Sequence, residues 1–220
     1  TKLFRTRAEG VRVDVGSVQA LPEFRNEEGL NQAAIAISPD GNTIIYARGN
    51  STSSKDLPEV ALFASYFRGA GFTQPIWMPV NEDEFWWNST PAFSPDGSEL
   101  YFASNRPGGF GGIDLYKATK LANGDFGNAV NLGPTINTPG NEQFPSLDKD
   151  TLYFSSDYLP GMGGLDIFKS LYDRETEAYS VPLNLGMPIN SSKDDAYMMW
   201  DSRLSKGFFS SDREPCNGGS

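Results

Sequence analysis

The feature that most restricts this chain is an internal repeat. Ala92-Phe93-Ser94-Pro95-Asp96-Gly97 echoes Ala36-Ile37-Ser38-Pro39-Asp40-Gly41 from 56 positions earlier. The motif returns 52 positions later as Phe144-Pro145-Ser146-Leu147-Asp148-Lys149-Asp150, and in decayed form around Met199-Trp200-Asp201. A β-rich run follows each copy, at residues 43–47, 99–103, 151–155 and 207–210. Ile113-Asp114-Leu115-Tyr116-Lys117-Ala118 then aligns with Leu165-Asp166-Ile167-Phe168-Lys169-Ser170, and more loosely with residues 60–65, which marks a third strand. Asn131-Leu132-Gly133 matches Asn184-Leu185-Gly186, and Ile136-Asn137 matches Ile189-Asn190, which marks a fourth strand and the crossover into the next unit. Four short strands in roughly 53 residues is the period of a propeller blade and not of a helical solenoid.

The turn chemistry agrees. In Pro-Asp-Gly the proline presets φ, the aspartate bonds the turn, and the glycine accepts a positive φ, so Gly41 and Gly97 are read as structural positions closing a hairpin of strands one and two. Asn105-Arg106-Pro107-Gly108-Gly109-Phe110-Gly111-Gly112, echoed by Leu159-Pro160-Gly161-Met162-Gly163-Gly164, is too rich in glycine for a strand and joins strand two to strand three. It lacks the following helix and the Lys-Ser/Thr pair of a phosphate-cradling loop. On this template residues 2–6 are a third strand, residues 11–21 supply a fourth, and Phe209-Ser210-Ser211-Asp212-Arg213 copies a second-strand exit. The expected organisation is an all-β propeller of four-stranded antiparallel blades: a half blade at 1–30, whole blades at 31–81, 82–137 and 138–190, and a half blade at 191–220. The two halves either close on each other as a composite fourth blade or belong to a larger propeller.

Composition narrows the function classes. With 23 Gly, 15 Pro and 13% aromatic residues the balance favours strands and turns. A net charge of −10 with no basic run repels phosphate backbones and anionic membrane surfaces, so nucleic acid is not expected as a partner. The longest apolar stretches fall far short of a spanning helix, and the first residues lack a signal-peptide core, so this segment is not expected to insert into a membrane. There is no histidine, which removes Ser-His-Asp and Cys-His arrangements and His-ligated metal sites. The single cysteine, Cys216, makes no internal disulfide and has no setting that would lower its pKa. The expectation is a chain that is not an enzyme and holds no metal and no cofactor.

Ser94-Pro95-Asp96-Gly97, then Leu100-Tyr101-Phe102-Ala103-Ser104-Asn105-Arg106-Pro107-Gly108-Gly109, then Gly112-Ile113-Asp114-Leu115-Tyr116, resembles the TolB-type propeller repeat. The Pro-Gly-Gly-Phe-Gly-Gly loop and the Ile136-Asn137-Thr138-Pro139-Gly140-Asn141-Glu142 crossover resemble the version in Bacteroidota outer-membrane lipoproteins of the OmpA family, among them those of the type IX secretion system. The resemblance covers nearly the whole chain and is strongest over residues 88–190. It implies a propeller of about five blades, a periplasmic location tied to the outer membrane through parts outside this segment, and envelope proteins as partners. It does not bring the family's peptidoglycan-binding motif, which lies outside this segment.

Asp114 and Asp166 recur at the head of the third strand, and Arg106 and Arg213 follow the second, with Tyr158 in their place between them; recurrence assigns these positions to holding blades together. Glu82-Asp83-Glu84 reads as a solvated acidic turn. Trp86 and Trp87 break the repeat, since the matching crossovers carry Asn141-Glu142-Gln143 and Asp194-Asp195-Ala196, and they are the candidate partner-binding residues; the alternative, that an indole fills a gap between blades, stays open. The loop at residues 49–59 is a second departure, expected at the other end of the blade. The function expected is a non-catalytic protein–protein interaction scaffold in an envelope assembly, the alternatives being a glycan-binding propeller or the accessory propeller of a hydrolase whose catalytic domain lies elsewhere.

Overall fold

The computed structural model describes residues 4–9, 12–20, 30–50, 60–69, 71–83 and 85–214. The described residues are all β apart from one 3-10 turn at Pro79–Asn81. The strands are β1 (Phe4–Glu9), β2 (Arg12–Ala20), β3 (Leu30–Ile37), β4 (Thr43–Asn50), β5 (Val60–Tyr66), β6 (Ile76–Trp77), β7 (Asn88–Phe93), β8 (Glu99–Ser104), β9 (Asp114–Thr119) and β10 (Val130–Asn131). They continue as β11 (Glu142–Asp148), β12 (Thr151–Ser156), β13 (Asp166–Asp173), β14 (Ala178–Tyr179), β15 (Leu183–Asn184), β16 (Asp195–Asp201) and β17 (Lys206–Ser211).

Consecutive strands pair antiparallel. β3 to β6 and β7 to β10 each form a four-stranded sheet, and β11, β12, β13 and β15 repeat the plan with β14 added beside β13. β1–β2 and β16–β17 are two-stranded. These are propeller blades, and the packing explains the sequence pattern. Along β8, Leu100 and Phe102 point into the core shared with the preceding blade, beside Ile45, Leu62 and Val80, while Tyr101 and Ala103 point into the core shared with the next, beside Leu152 and Phe154. Both faces of a blade are covered, so the second strand reads as a continuous apolar run where a half-exposed strand would alternate. Phe209 takes the place in β17 of the fully buried Phe102 and Phe154, yet it is 39% exposed, because no third strand pairs with β17 among the described residues.

Every first strand carries a bulge at one place, with Ala34, Thr90, Phe144 and Tyr197 at φ of 47°, 49°, 56° and 56°. This corrects the repeat register. Ala92 faces Tyr101 as Ser146 faces Tyr153, so the first strand is related by 54 positions while the second strand keeps 52. The difference is the turn: Asp148 pairs directly with Thr151, whereas the second blade spends Ser94 to Ser98 on the same reversal. In those longer turns Gly41 and Gly97 have φ of 72° and 73°, and Ser94 donates to Asp96 while accepting the Glu99 N–H.

Candidate functional site: the crossover face

The crossovers hold the blades through one asparagine each. Asn137 accepts a hydrogen bond from the Leu115 N–H at 2.8 Å and donates to the Leu115 carbonyl at 2.9 Å, so the side-chain amide continues the sheet as if it were a strand residue. Asn81 does the same to Leu62, and Asn190 to Ile167. Sequence reasoning matched Ile136-Asn137 with Ile189-Asn190 but gave the amide no role, and it passed over Val80-Asn81, which sits 56 positions before the first pair. A buried amide that satisfies both groups of one backbone residue is a signal that spacing alone does not carry.

Above the clasp lies a junction repeated with variation. Arg106, buried, donates to the Val80 carbonyl at 2.9 Å, Asn88 Oδ1 at 3.0 Å and Ser104 Oγ at 3.1 Å, pairs with Glu82 at 3.0 Å, and lies 5.1 Å from the Phe102 ring centre. Arg213 repeats this two units further on. It pairs with Asp195 at 2.6 Å, donates to Ser211 Oγ at 2.7 Å, reaches the Ile189 carbonyl, and lies 5.4 Å from Phe209. Both arginines tie a second-strand exit to the preceding crossover. Burial raises the Asp195 pKa, but hydrogen bonds from Ser211, Arg213 and Ser191 outweigh it and hold the carboxyl below the ordinary range.

Between them the junction lacks its cation. Tyr158 stands at the arginine position and is 60% exposed. Glu142, at the Asn88 and Asp195 position, is fully buried and accepts from the Thr138 N–H at 2.7 Å, the Thr138 hydroxyl at 2.6 Å and the Ser156 hydroxyl at 2.7 Å. Burial pushes its pKa up, only partly offset by those bonds.

The Gly-rich loops close the face. Asp114 accepts from the Phe110 and Gly111 N–H groups at 2.5 and 3.0 Å and from Asn131, and Asp166 does the same for Met162 and Gly163 at 2.6 and 3.0 Å. A Cβ at Gly111 would overlap the Thr138 and Gly140 carbonyl oxygens, so only glycine lets the loop lie on the next crossover.

Trp86 and Trp87 are both half-buried. The Trp86 ring lies 5.4 Å from the Arg106 guanidinium. Trp87 donates its backbone N–H to Asn105 Oδ1 at 2.7 Å, bridges to Val60, and packs against the core between the second and third blades. The exposed aromatic of that crossover is Phe85, which sequence reasoning did not single out. Of the acidic turn, Glu82 pairs with Arg106 and Asp83 accepts the Phe85 N–H, while Glu84 lies outside the described residues. So do residues 51–59 and Cys216.

The expectation that the tryptophan crossover and the second-strand exit lie at different ends of the blade is corrected. Strand two runs antiparallel to strand one and so returns to the crossover edge, which is why Arg106 reaches Glu82 and why Val60, at the far end of the 49–59 loop, bridges to Trp87. The loops and crossovers share one face, with Phe85, Phe110, Tyr158 and Met162 exposed on it. Phe110 and Tyr158 line a groove of about 520 Å³ with Thr138, Leu159 and Pro160. On the hairpin side a cleft of about 290 Å³ is lined by Tyr101, Tyr172, Tyr179, Glu99 and the Asp150–Arg174 pair. Among the described residues there is no cluster of three or more metal-ligating side chains, and no helix is long and apolar enough to cross a membrane.

Neither the family models nor the curated proteins compared with the chain match it. Solved structures do. A puromycin-hydrolyzing peptidase of Mycobacterium tuberculosis aligns with TM-score 0.53 and 18% identity over 86% of this chain and 26% of its own. A prolyl endopeptidase aligns with TM-score 0.51 and 11% identity over 90% and 25%, and a puromycin hydrolase with TM-score 0.51 and 16% identity over 90% and 31%. At these identities the likeness is one of fold, and the chain spans about a quarter to a third of the length of the structures it matches.

Proposed function

We propose that this chain is a non-catalytic protein-interaction module whose partner docks on the crossover face. The carrying observation is the set of large apolar side chains exposed there, Phe85 at 62%, Phe110 at 48%, Tyr158 and Met162, beside the half-buried Trp86 and Trp87. The strands of a propeller are consumed in holding blades together, so binding falls to the loops, and exposed aromatics with a wet rim are the residues that carry interface energy. The envelope setting, a periplasmic location and a place in a secretion assembly are supported by the repeat's resemblance to outer-membrane lipoproteins of Bacteroidota. Co-purification from native envelope fractions tests the reading: Phe110→Asp with Tyr158→Asp leaves the melting temperature within a few degrees and removes the partner. Retention of the partner by that variant, and by Trp86→Ala with Trp87→Ala, contradicts it.

Two other readings have their own support. The hairpin-side cleft, with three tyrosines beside carboxylates and an arginine, favours a saccharide ligand. The likeness to part of longer peptidase chains favours an accessory propeller, in which case a catalytic domain follows or precedes this segment in the full-length chain.

A further inference from the structure

The two arginine junctions show what the third one is built to accept. At each, a guanidinium meets a second-strand serine hydroxyl, a first-strand acceptor and a crossover carbonyl, with an aromatic ring beside it. At the third junction Ser156, Glu142, the Ile136 carbonyl and the Phe154 ring occupy the corresponding places, with Ser156 Oγ taken by the Tyr158 and Leu159 N–H groups and with Glu142 and the Ile136 carbonyl left to meet a cation. The junction keeps no cation, since Tyr158 has replaced the arginine and turned outward. Among the described residues Glu142 forms no ion pair and the Ile136 carbonyl receives no hydrogen bond. The groove lies beside this junction, and Glu142, Ser156 and Ile136 sit beneath its wall. Thr138, which holds the Glu142 carboxylate through both its N–H and its hydroxyl, lines the groove together with Tyr158 and Leu159.

We infer that the groove between the second and third blades binds an arginine side chain from a partner polypeptide, whose guanidinium takes the place that Arg106 and Arg213 fill elsewhere. This rests on the crossover-face reading and names the partner's chemistry. A guanidinium is planar, stacks on exposed tyrosine, and forms charge-assisted bonds to a carboxylate and a carbonyl at once, which a lysine ammonium does less well. The chain's net charge of −10 favours approach of a cationic segment. Entry requires Tyr158, exposed at the rim, to swing aside and Thr138 to share Glu142.

The test is a titration of the ¹⁵N-labelled chain with acetyl-Pro-Arg-Pro-amide and with the same tripeptide carrying lysine or leucine in place of arginine. The expected result is shifts centred on Thr138, Glu142 and Tyr158, with arginine bound about tenfold or more tightly than leucine, the effect of one charge-assisted interaction. Tyr158→Arg fills the slot from within and abolishes the shifts while raising or preserving the melting temperature. Glu142→Gln keeps the fold and lowers affinity for the arginine peptide alone. Equal affinity for arginine and leucine, absence of shifts at these residues, or undiminished binding by Tyr158→Arg overturns the inference. Partner docking on the crossover face that persists with no arginine preference overturns this inference and leaves the interaction-module reading standing.

Discussion

Arg106 in the second blade donates to the carbonyl of Val80 in the crossover before it, 2.9 Å away and shielded from solvent. That bond joins two repeats, and its removal leaves the Val80 carbonyl and Asn88 Oδ1 without their donor. Arg106→Met, which keeps the apolar stem, is expected to cost about 2–4 kcal/mol, since breaking a buried charged network costs more than the network's net worth. Urea denaturation measures this. Arg106→Lys is expected to recover less than half, because an ammonium does not span four divergent acceptors.

Asn137 gives a second test. Asn137→Ala leaves the buried Leu115 N–H without its acceptor, while the Leu115 carbonyl keeps the Leu132 N–H, and an unmade buried hydrogen bond costs about 1–3 kcal/mol. Asn137→Asp keeps the acceptor but loses the donor and buries a charge, so it is expected to be no better than alanine. Amide exchange at Leu115 separates this local account from a general loosening: its protection falls in the variant while that of Leu152 is retained.

The pH dependence isolates Glu142. Its pKa is raised in the folded protein by burial, so the folded state binds more protons than the unfolded state from about pH 4.3 upward, and stability falls as pH rises through that window. Glu142→Gln removes this contribution and leaves that of the other carboxyls in place. The variant gains on the parent between pH 4 and pH 7 in parallel urea melts; a deficit of constant size at every pH contradicts the assignment.

The hairpin turns separate strain from contact. Gly41 and Gly97 share a positive φ, but a Cβ at Gly41 meets open space while one at Gly97 comes within 3.2 Å of Pro39 Cδ in the preceding blade. Both alanine variants are expected to lose roughly 1 kcal/mol or more to the left-handed conformation, and Gly97→Ala to lose the more of the two. Equal midpoints in thermal melts of the two variants contradict the contact.

Much of this fold was legible because a blade is read twice or more along the chain. Leu100-Tyr101-Phe102-Ala103 and Leu152-Tyr153-Phe154-Ser155 announce a strand covered on both faces, and the recurring Asp114 and Asp166 announce the loop they pin. The fourth strands of the second and third blades are only two residues long, too short to show a period, and are legible only through their Asn-Leu-Gly neighbours. The 54-position register of the first strand was hidden because a turn shortened by two residues looks like a slipped motif. The site was less legible. That a second-strand exit shares its edge with the crossover follows from antiparallel pairing, and Phe85 and Phe110 stand out only once their exposure is known. The missing cation at the third junction was visible as Tyr158 in place of arginine, but its meaning needed the buried Glu142 beneath.

Site-specific photocrosslinking in the native cell reads out which face of the blades meets a partner. With a benzoylphenylalanine placed at Phe110 or Tyr158 on the crossover face, and in separate chains at Asn123 or Glu175 on the hairpin side, a discrete crosslinked protein is expected from the first pair and none from the second. A crosslink confined to the hairpin side, or none from either face with the chain folded and in place, contradicts docking on the crossover face.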